Sequence, residues 1–116
     1  MFGARIIHHF HENVLQGYWP ERIQYVNDHY TTLPFPFDEI VAPPFAMTAD
    51  WNLRELLAFL DTWSASQRYL RERGTRAIDE IAPVLARSWG DPEQLRHFQC
   101  PLFMRVGQVG RRPLPA

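Results

Sequence analysis

Residues 52–65 read NLRELLAFLDTWSA, and this stretch carries the clearest structural pattern in the chain. Asn52 stands three residues before Glu55, the spacing of an N-cap whose side chain exchanges hydrogen bonds with the first helical turn. Leucines then recur every three or four residues up to Trp63, which predicts a helix with one apolar face. We expect this helix to run past Trp63 and to continue up to Gly74, where it stops.

The remaining elements follow from periodicity, glycine and proline. The pattern predicts helices over residues 4–18, from Pro20 to about Tyr30, and over 78–89 with a break at Pro83, and strands over 38–48 and 98–106. Because a two-stranded sheet is marginal by itself, we expect something else to complete it. The expected class is α+β, with a small antiparallel two-stranded sheet and three to five helices. Residues 1–109 are interpreted as one domain and 110–116 as a flexible tail.

Composition excludes several classes of function. The chain has 116 residues, 46% of them hydrophobic, and a net charge of −1, which argues against a nucleic-acid surface. No apolar run approaches the length that spans a bilayer, and no secretory signal is apparent. A single cysteine permits no internal disulfide and is compatible with the cytoplasm, which is the expected location.

Several motifs recur together in one enzyme family. They are WPER (19–22), Tyr30, LPFPF (33–37), LDTWSA (60–65), Tyr69, Trp89-Gly90 and LFMRVG (102–107). In this order they resemble the carboxy-terminal part of a class I S-adenosylmethionine-dependent methyltransferase, of the branch that includes trans-aconitate methyltransferase. The resemblance covers residues 8–109 and implies the part of a Rossmann-like fold that follows the fifth strand.

That resemblance leaves out the half of the enzyme that holds the cofactor. A Gly-rich turn between a strand and a helix would be required, and glycines 3, 17, 74, 90, 107 and 110 do not provide one. We therefore expect no cofactor on this chain alone, whereas the complete enzyme would use S-adenosylmethionine. The expected function is the acceptor side of a methyltransferase for a small molecule, inactive alone and completed by a missing cofactor-binding domain. The alternative is a non-catalytic homodimerising interaction module, and whether the chain is an enzyme stays open.

Candidate acceptor-binding residues come mainly from the resemblance. Trp63 and Ser64 would border the acceptor pocket, although a core tryptophan and a helix-terminal hydroxyl are the favoured explanation. Tyr30 and Phe35, with neighbouring Phe37, form either an aromatic lid over the acceptor or a staple between helix and sheet.

The charged candidates have similarly plain alternatives. Arg22 and Arg68 could hold an acceptor carboxylate, or they are solvated surface. His8, His9 and His11 invite a metal interpretation, but no acid or cysteine completes a ligand set, so a surface cluster is favoured. Cys100 alternates with apolar neighbours and is interpreted as an inert core thiol. No catalytic residue can be named.

Overall fold

A computed structural model describes residues 4–110. This part of the chain divides into two units, one holding residues 4–20 and 49–98 and the other 21–48 and 99–110. The interpretation of residues 1–109 as one domain stays a prediction, and nearly all of the expected tail (110–116) lies outside the described residues.

The described residues form an α+β structure, as the sequence predicts. Its helices are α1 (Ala4–His9), which continues as a π-helical turn (Phe10–Val14), α2 (Ile23–Asn27), α3 (Leu53–Asp61), α4 (Ser64–Arg73), a 3-10 turn (Ala77–Glu80) and α5 (Ala82–Trp89). Its strands are β1 (Asp38–Ile40), β2 (Phe45–Trp51), β3 (Arg96–Leu102) and β4 (Val106–Gln108). Pairing of β1 with β4 and of β2 with β3 gives two small antiparallel sheets.

No helix in this set has both the length and the apolar character that crossing a membrane requires.

The predicted cap of α3 is present. Asn52 Oδ1 accepts from the Glu55 backbone N–H at 2.9 Å, and Glu55 Oε1 accepts from the Asn52 N–H at 3.1 Å. The helix ends at Asp61, earlier than predicted, because the backbone turns to an extended ψ of 143° at Trp63 before α4 begins. Gly74 ends α4 in the left-handed conformation at φ 74°, which glycine adopts without steric cost.

The core lies within the first unit. Its buried apolar residues are Phe10, Leu15, Leu56, Leu60, Ala65, Tyr69, Ala77, Ile78, Ile81, Leu85 and Trp89. Each large side chain among them contributes roughly 1.5–3 kcal/mol by leaving water. The Ser66 hydroxyl is also buried and donates to the Leu60 carbonyl at 2.7 Å, so its burial leaves no unpaired donor.

Proline divides the helical stretch after Gly74, as predicted. The 3-10 turn ends at Glu80 and α5 begins at Ala82, which puts Pro83 in the first turn of α5. There the missing N–H costs nothing, since the first four amides of a helix have no partner within it.

The two predicted strand regions, 38–48 and 98–106, pair with each other as expected. Each region is divided into two shorter strands, which gives the pairs β1–β4 and β2–β3. Glu39 lies opposite Gly107 in the β1–β4 ladder. Pro43 and Pro44 supply no amide donors, and they separate β1 from β2. Residues 103–105 likewise separate β3 from β4. The predicted helix at Pro20 is also shorter, because α2 begins only at Ile23.

The second unit exposes much apolar surface. None of residues 21–48 and 99–110 is buried. Its exposed large apolar side chains are Val26, Leu33, Phe37, Ile40, Val41, Phe45, Met47, Leu102, Phe103, Met104, Val106 and Val109. Cys100 is exposed too, so its interpretation as a core thiol is wrong. The residues around Cys100 do alternate between the two faces of β3, but neither face is buried in the segment 99–102.

Candidate functional site

Trp63 lies at the centre of an aromatic cluster in the first unit. Its ring centroid is 5.6 Å from that of Trp19, 5.8 Å from His11 and 5.9 Å from Phe10. Phe59 on α3 adds an edge contact at 6.1 Å. The cluster therefore joins two separate motifs, since Trp19 belongs to WPER and Trp63 to LDTWSA. Trp63 itself is half-buried and keeps part of its surface in contact with solvent.

A π-helical turn explains how His11 reaches this cluster. The Leu15 amide donates to the Phe10 carbonyl, five residues back, at 3.0 Å. In a regular α-helix it would instead donate to the carbonyl of His11. That freed carbonyl accepts from the indole N–H of Trp19 at 2.9 Å. Isolated π turns of this kind occur frequently at functional sites.

His11 and Glu12 form a polar pair beside the tryptophans. The imidazole Nδ1 lies 2.9 Å from Glu12 Oε1, and the two side chains are 25% and 51% exposed. A neutral imidazole that donates from Nδ1 to this carboxylate has its lone pair on Nε2. The His11 ring also packs on Trp19 with 4.5 Å between centroids. The arrangement can accept a proton or a hydrogen bond at Nε2 and can offer negative charge at Glu12.

An open cleft of about 350 Å³ adjoins this pair. Its lining residues are Ala4, Ile7, His8, His11, Glu12 and Trp63. The volume is at the lower end of the range for small-molecule sites, and a mostly apolar wall with a few polar groups is typical of such sites. His8 and His11 thus share one face, as their spacing predicts.

Metal binding finds no support among residues 4–110, since no group of three or more His, Cys, Asp or Glu side chains there could hold an ion.

The other residues proposed from the resemblance lie outside this cleft. Ser64 is exposed at the start of α4. The Arg68 Nε is 3.0 Å from Glu72 Oε1 in an exposed pair one helical turn apart. Arg22 is exposed just before α2, in the second unit. Whether any of the three contacts an acceptor stays a prediction.

Arg105 organises the second unit around Tyr30 and Phe35. Its guanidinium pairs with Glu39 and donates to the carbonyl oxygens of Tyr30 and Leu33 at 3.1 and 2.9 Å. The charge lies 4.3 Å from the centre of the Phe35 ring. Tyr30 adopts a left-handed φ of 64°, which is strained for a bulky residue. These contacts tie the turn to Glu39 on β1. Whether Tyr30 and Phe35 act as a lid over an acceptor or as a staple between helix and sheet stays a prediction.

Sequence reasoning missed His11–Glu12 as a pair and Arg105 as an anchor. Adjacent helix residues do not normally face each other, so nothing in the pattern pointed to His11 and Glu12. Arg105 is one of twelve arginines, and its partners are far away in the sequence.

A second cleft of the first unit is larger, at about 520 Å³, and is lined in part by Arg54, Asp61, Arg76 and Asp79. Asp61 Oδ1 is buried and accepts no hydrogen bond within the described residues. Charges of both signs line this cleft, so it does not point to one class of ligand.

Comparison with solved structures identifies a close structural match. A proposed type II methyltransferase from Anaeromyxobacter dehalogenans superposes with a TM-score of 0.83 and 33% sequence identity, over 93% of this chain. The chain therefore has the fold of the matching part of that proposed methyltransferase. The match covers only 46% of the Anaeromyxobacter protein, so this chain spans about half of its length. No protein-family model matches the sequence, and no curated protein matches it.

Proposed function

We propose that this chain is the acceptor-side portion of an S-adenosylmethionine-dependent methyltransferase that acts on a small molecule. The observation that carries the proposal is the match to the Anaeromyxobacter protein, at 33% identity across nearly the whole chain but less than half of that protein. Under this proposal a cofactor-binding domain completes the enzyme, and it belongs to a separate chain or to a longer protein. The complete enzyme works in the cytoplasm.

The cofactor is assigned to that other domain because the described residues of this chain do not form a binding site for S-adenosylmethionine. A dinucleotide-type cradle needs glycine in a turn that leaves a strand and enters a helix. Gly17, Gly74 and Gly90 each follow a helical segment, and Gly107 lies within β4. No step through S-adenosylmethionine is therefore derived from this chain.

This chain's own contribution would be to bind and orient the acceptor. Methyl transfer depends largely on alignment of the two reactants, so an acceptor site on a rigid wall is a substantial contribution. The Trp63 cleft has such a wall, since Phe10, which packs against Trp63, is fully buried, and the backbone of His11 belongs to the π turn.

The apolar surface of the second unit supports the need for a second body. Most exposed large apolar side chains of the described chain belong to residues 21–48 and 99–110, and Val41 is 94% exposed. Patches of this kind mark interaction surfaces or aggregation hazards. The same observation favours the alternative function, a homodimerising module in which a second copy covers that surface.

A chimera tests the main proposal. This chain replaces the matching segment of the Anaeromyxobacter protein, and the chimera, its parent and the isolated chain are each titrated with S-adenosylhomocysteine. We expect a cooperatively folded chimera that binds within about tenfold of the parent, and no saturable heat from the isolated chain. A chimera that folds without binding, or binding by the isolated chain at the parent's affinity, would contradict the proposal.

Sedimentation velocity tests the alternative. A homodimerising module should show a concentration-dependent dimer that Val41→Asp abolishes and Leu95→Asp leaves intact. Leu95 is a matched control because it is exposed but belongs to the first unit. A monomer at every concentration would exclude the alternative.

A further inference from the structure

Among the described residues that line the cleft beside Trp63, the acidic and basic side chains other than histidine carry one sign of charge. These six residues include the Glu12 carboxylate and contain no arginine. The chain has no lysine at all. The other polar side chains among these residues are the imidazoles of His8 and His11.

Aromatic rings line the same space. The rings of Trp63 and His11 are nearly perpendicular, with an interplanar angle of 80°. A tryptophan face attracts a cation more strongly than any other side-chain ring, through its quadrupole. Ala4 and Ile7 supply apolar contacts for the body of a ligand.

We propose that this cleft binds a small organic ammonium ion, with the cation between Trp63 and Glu12. A carboxylate and an aromatic face recognise the charge, and the apolar wall contacts the methyl or methylene groups around it. An anionic acceptor is disfavoured because Glu12 would repel it and the described residues that line the cleft include no guanidinium.

The proposal gives the acceptor of the proposed function a chemical class, an amine. A bound ammonium ion must first release its N–H proton, for which His11 Nε2 is the nearby acceptor, before its nitrogen lone pair can form the bond to the methyl group; the methylated ammonium ion is the product. The assignment of an amine acceptor rests on the proposed function. The binding itself does not, because the cleft belongs wholly to the first unit and holds no residue of the missing half.

The test compares two probes that differ only in charge. Choline and its uncharged isostere 3,3-dimethylbutan-1-ol are titrated into the ¹⁵N-labelled full chain at pH 8. The indole N–H resonances of Trp63 and Trp19 are followed. We expect choline to shift the Trp63 signal and to bind about tenfold more tightly than the alcohol. Equal affinities, or shifts confined to other tryptophans, would overturn the proposal.

A variant pair localises the charge effect. Glu12→Gln should raise the choline Kd about threefold, because an exposed carboxylate contributes modestly. Glu72→Gln removes a similarly exposed carboxylate from α4, outside the cleft, and should leave the Kd unchanged. Unfolding curves confirm that both variants fold. An equal effect of the two substitutions on the choline Kd would overturn the role of Glu12. The anion propane-1,2,3-tricarboxylate is titrated as well, and tighter binding of this anion than of choline would also overturn that role.

The two proposals fail separately. Loss of selectivity for choline leaves cofactor binding by the chimera unaffected, and failure of the chimera leaves choline binding by the isolated chain unaffected.

Discussion

The indole N–H of Trp19 donates to the backbone carbonyl of His11 at 2.9 Å, and this bond replaces the helical bond that the π turn gives up. It links the WPER motif to the helix that carries the cleft. Trp19 in turn packs against Trp63, so the WPER and LDTWSA motifs meet at one ring contact. The geometry of His11 therefore depends on a residue eight positions away.

Removing that bond should destabilise the first unit. Trp19→Phe keeps an aromatic ring but leaves the His11 carbonyl without its donor, and we expect a loss of about 1–3 kcal/mol in the free energy of unfolding. Urea denaturation followed by circular dichroism measures it. Trp51→Phe is the control for the loss of ring area, because Trp51 also packs against aromatic rings, those of Phe59 and Phe98. Equal losses from both variants would mean that ring area, not the hydrogen bond, is responsible.

Much of the first unit could be predicted because its determinants are local. The spacing of Asn52 and Glu55, the glycine after α4 and the proline in α5 each act within one helical turn. The π turn could not be predicted, since an apolar pattern over residues 4–18 fits an α-helix equally well.

The cap on α3 offers a quantitative check of this local reasoning. Asn52→Ala removes the acceptor for the Glu55 amide, and we expect a loss of about 1 kcal/mol in unfolding free energy. Asn52→Ser should retain most of the stability because a hydroxyl also accepts that bond. Asn27→Ala, at the exposed end of α2, should be close to neutral. A neutral Asn52→Ala in thermal and urea unfolding would show that the cap is dispensable.

The candidate site was only partly predictable because its contacts are non-local. Trp63 was identified through the resemblance and does line a cleft. The sequence pattern presents its neighbour His11 only as a metal-binding candidate or a surface residue, and it does not single out Glu12. Cys100 was misassigned because alternation along a strand reports two faces but does not say that either is covered.

Arg105 should be irreplaceable by lysine. A compact ammonium cannot reach the Glu39 carboxylate and the carbonyls of Tyr30 and Leu33 together, whereas the planar guanidinium does. We expect Arg105→Lys to cost about 1.5–3 kcal/mol, the range for hydrogen bonds to charged groups. Hydrogen exchange should accelerate at the amides of Tyr30 and Leu33.

The control for this prediction is Arg68→Lys in the exposed pair with Glu72, where we expect at most about 0.5 kcal/mol. If Arg105→Lys leaves exchange at Tyr30 unchanged, the conformation of the turn does not depend on the guanidinium.

Gly107 should tolerate no side chain. A Cβ there would lie 2.5 Å from Phe37 Cβ and 2.9 Å from two ring atoms of Phe35, closer than real contacts allow. Relief would require β4 to move away from Glu39 in the ladder or the aromatic turn to lift. We expect Gly107→Ala to lower the unfolding free energy by about 1–3 kcal/mol, as overpacking does. Gly110→Ala meets nothing within 4 Å and should change it by less than about 0.5 kcal/mol. Indistinguishable urea midpoints for the two alanine variants would show that the turn carrying Phe35 and Phe37 does not pack on β4 in solution.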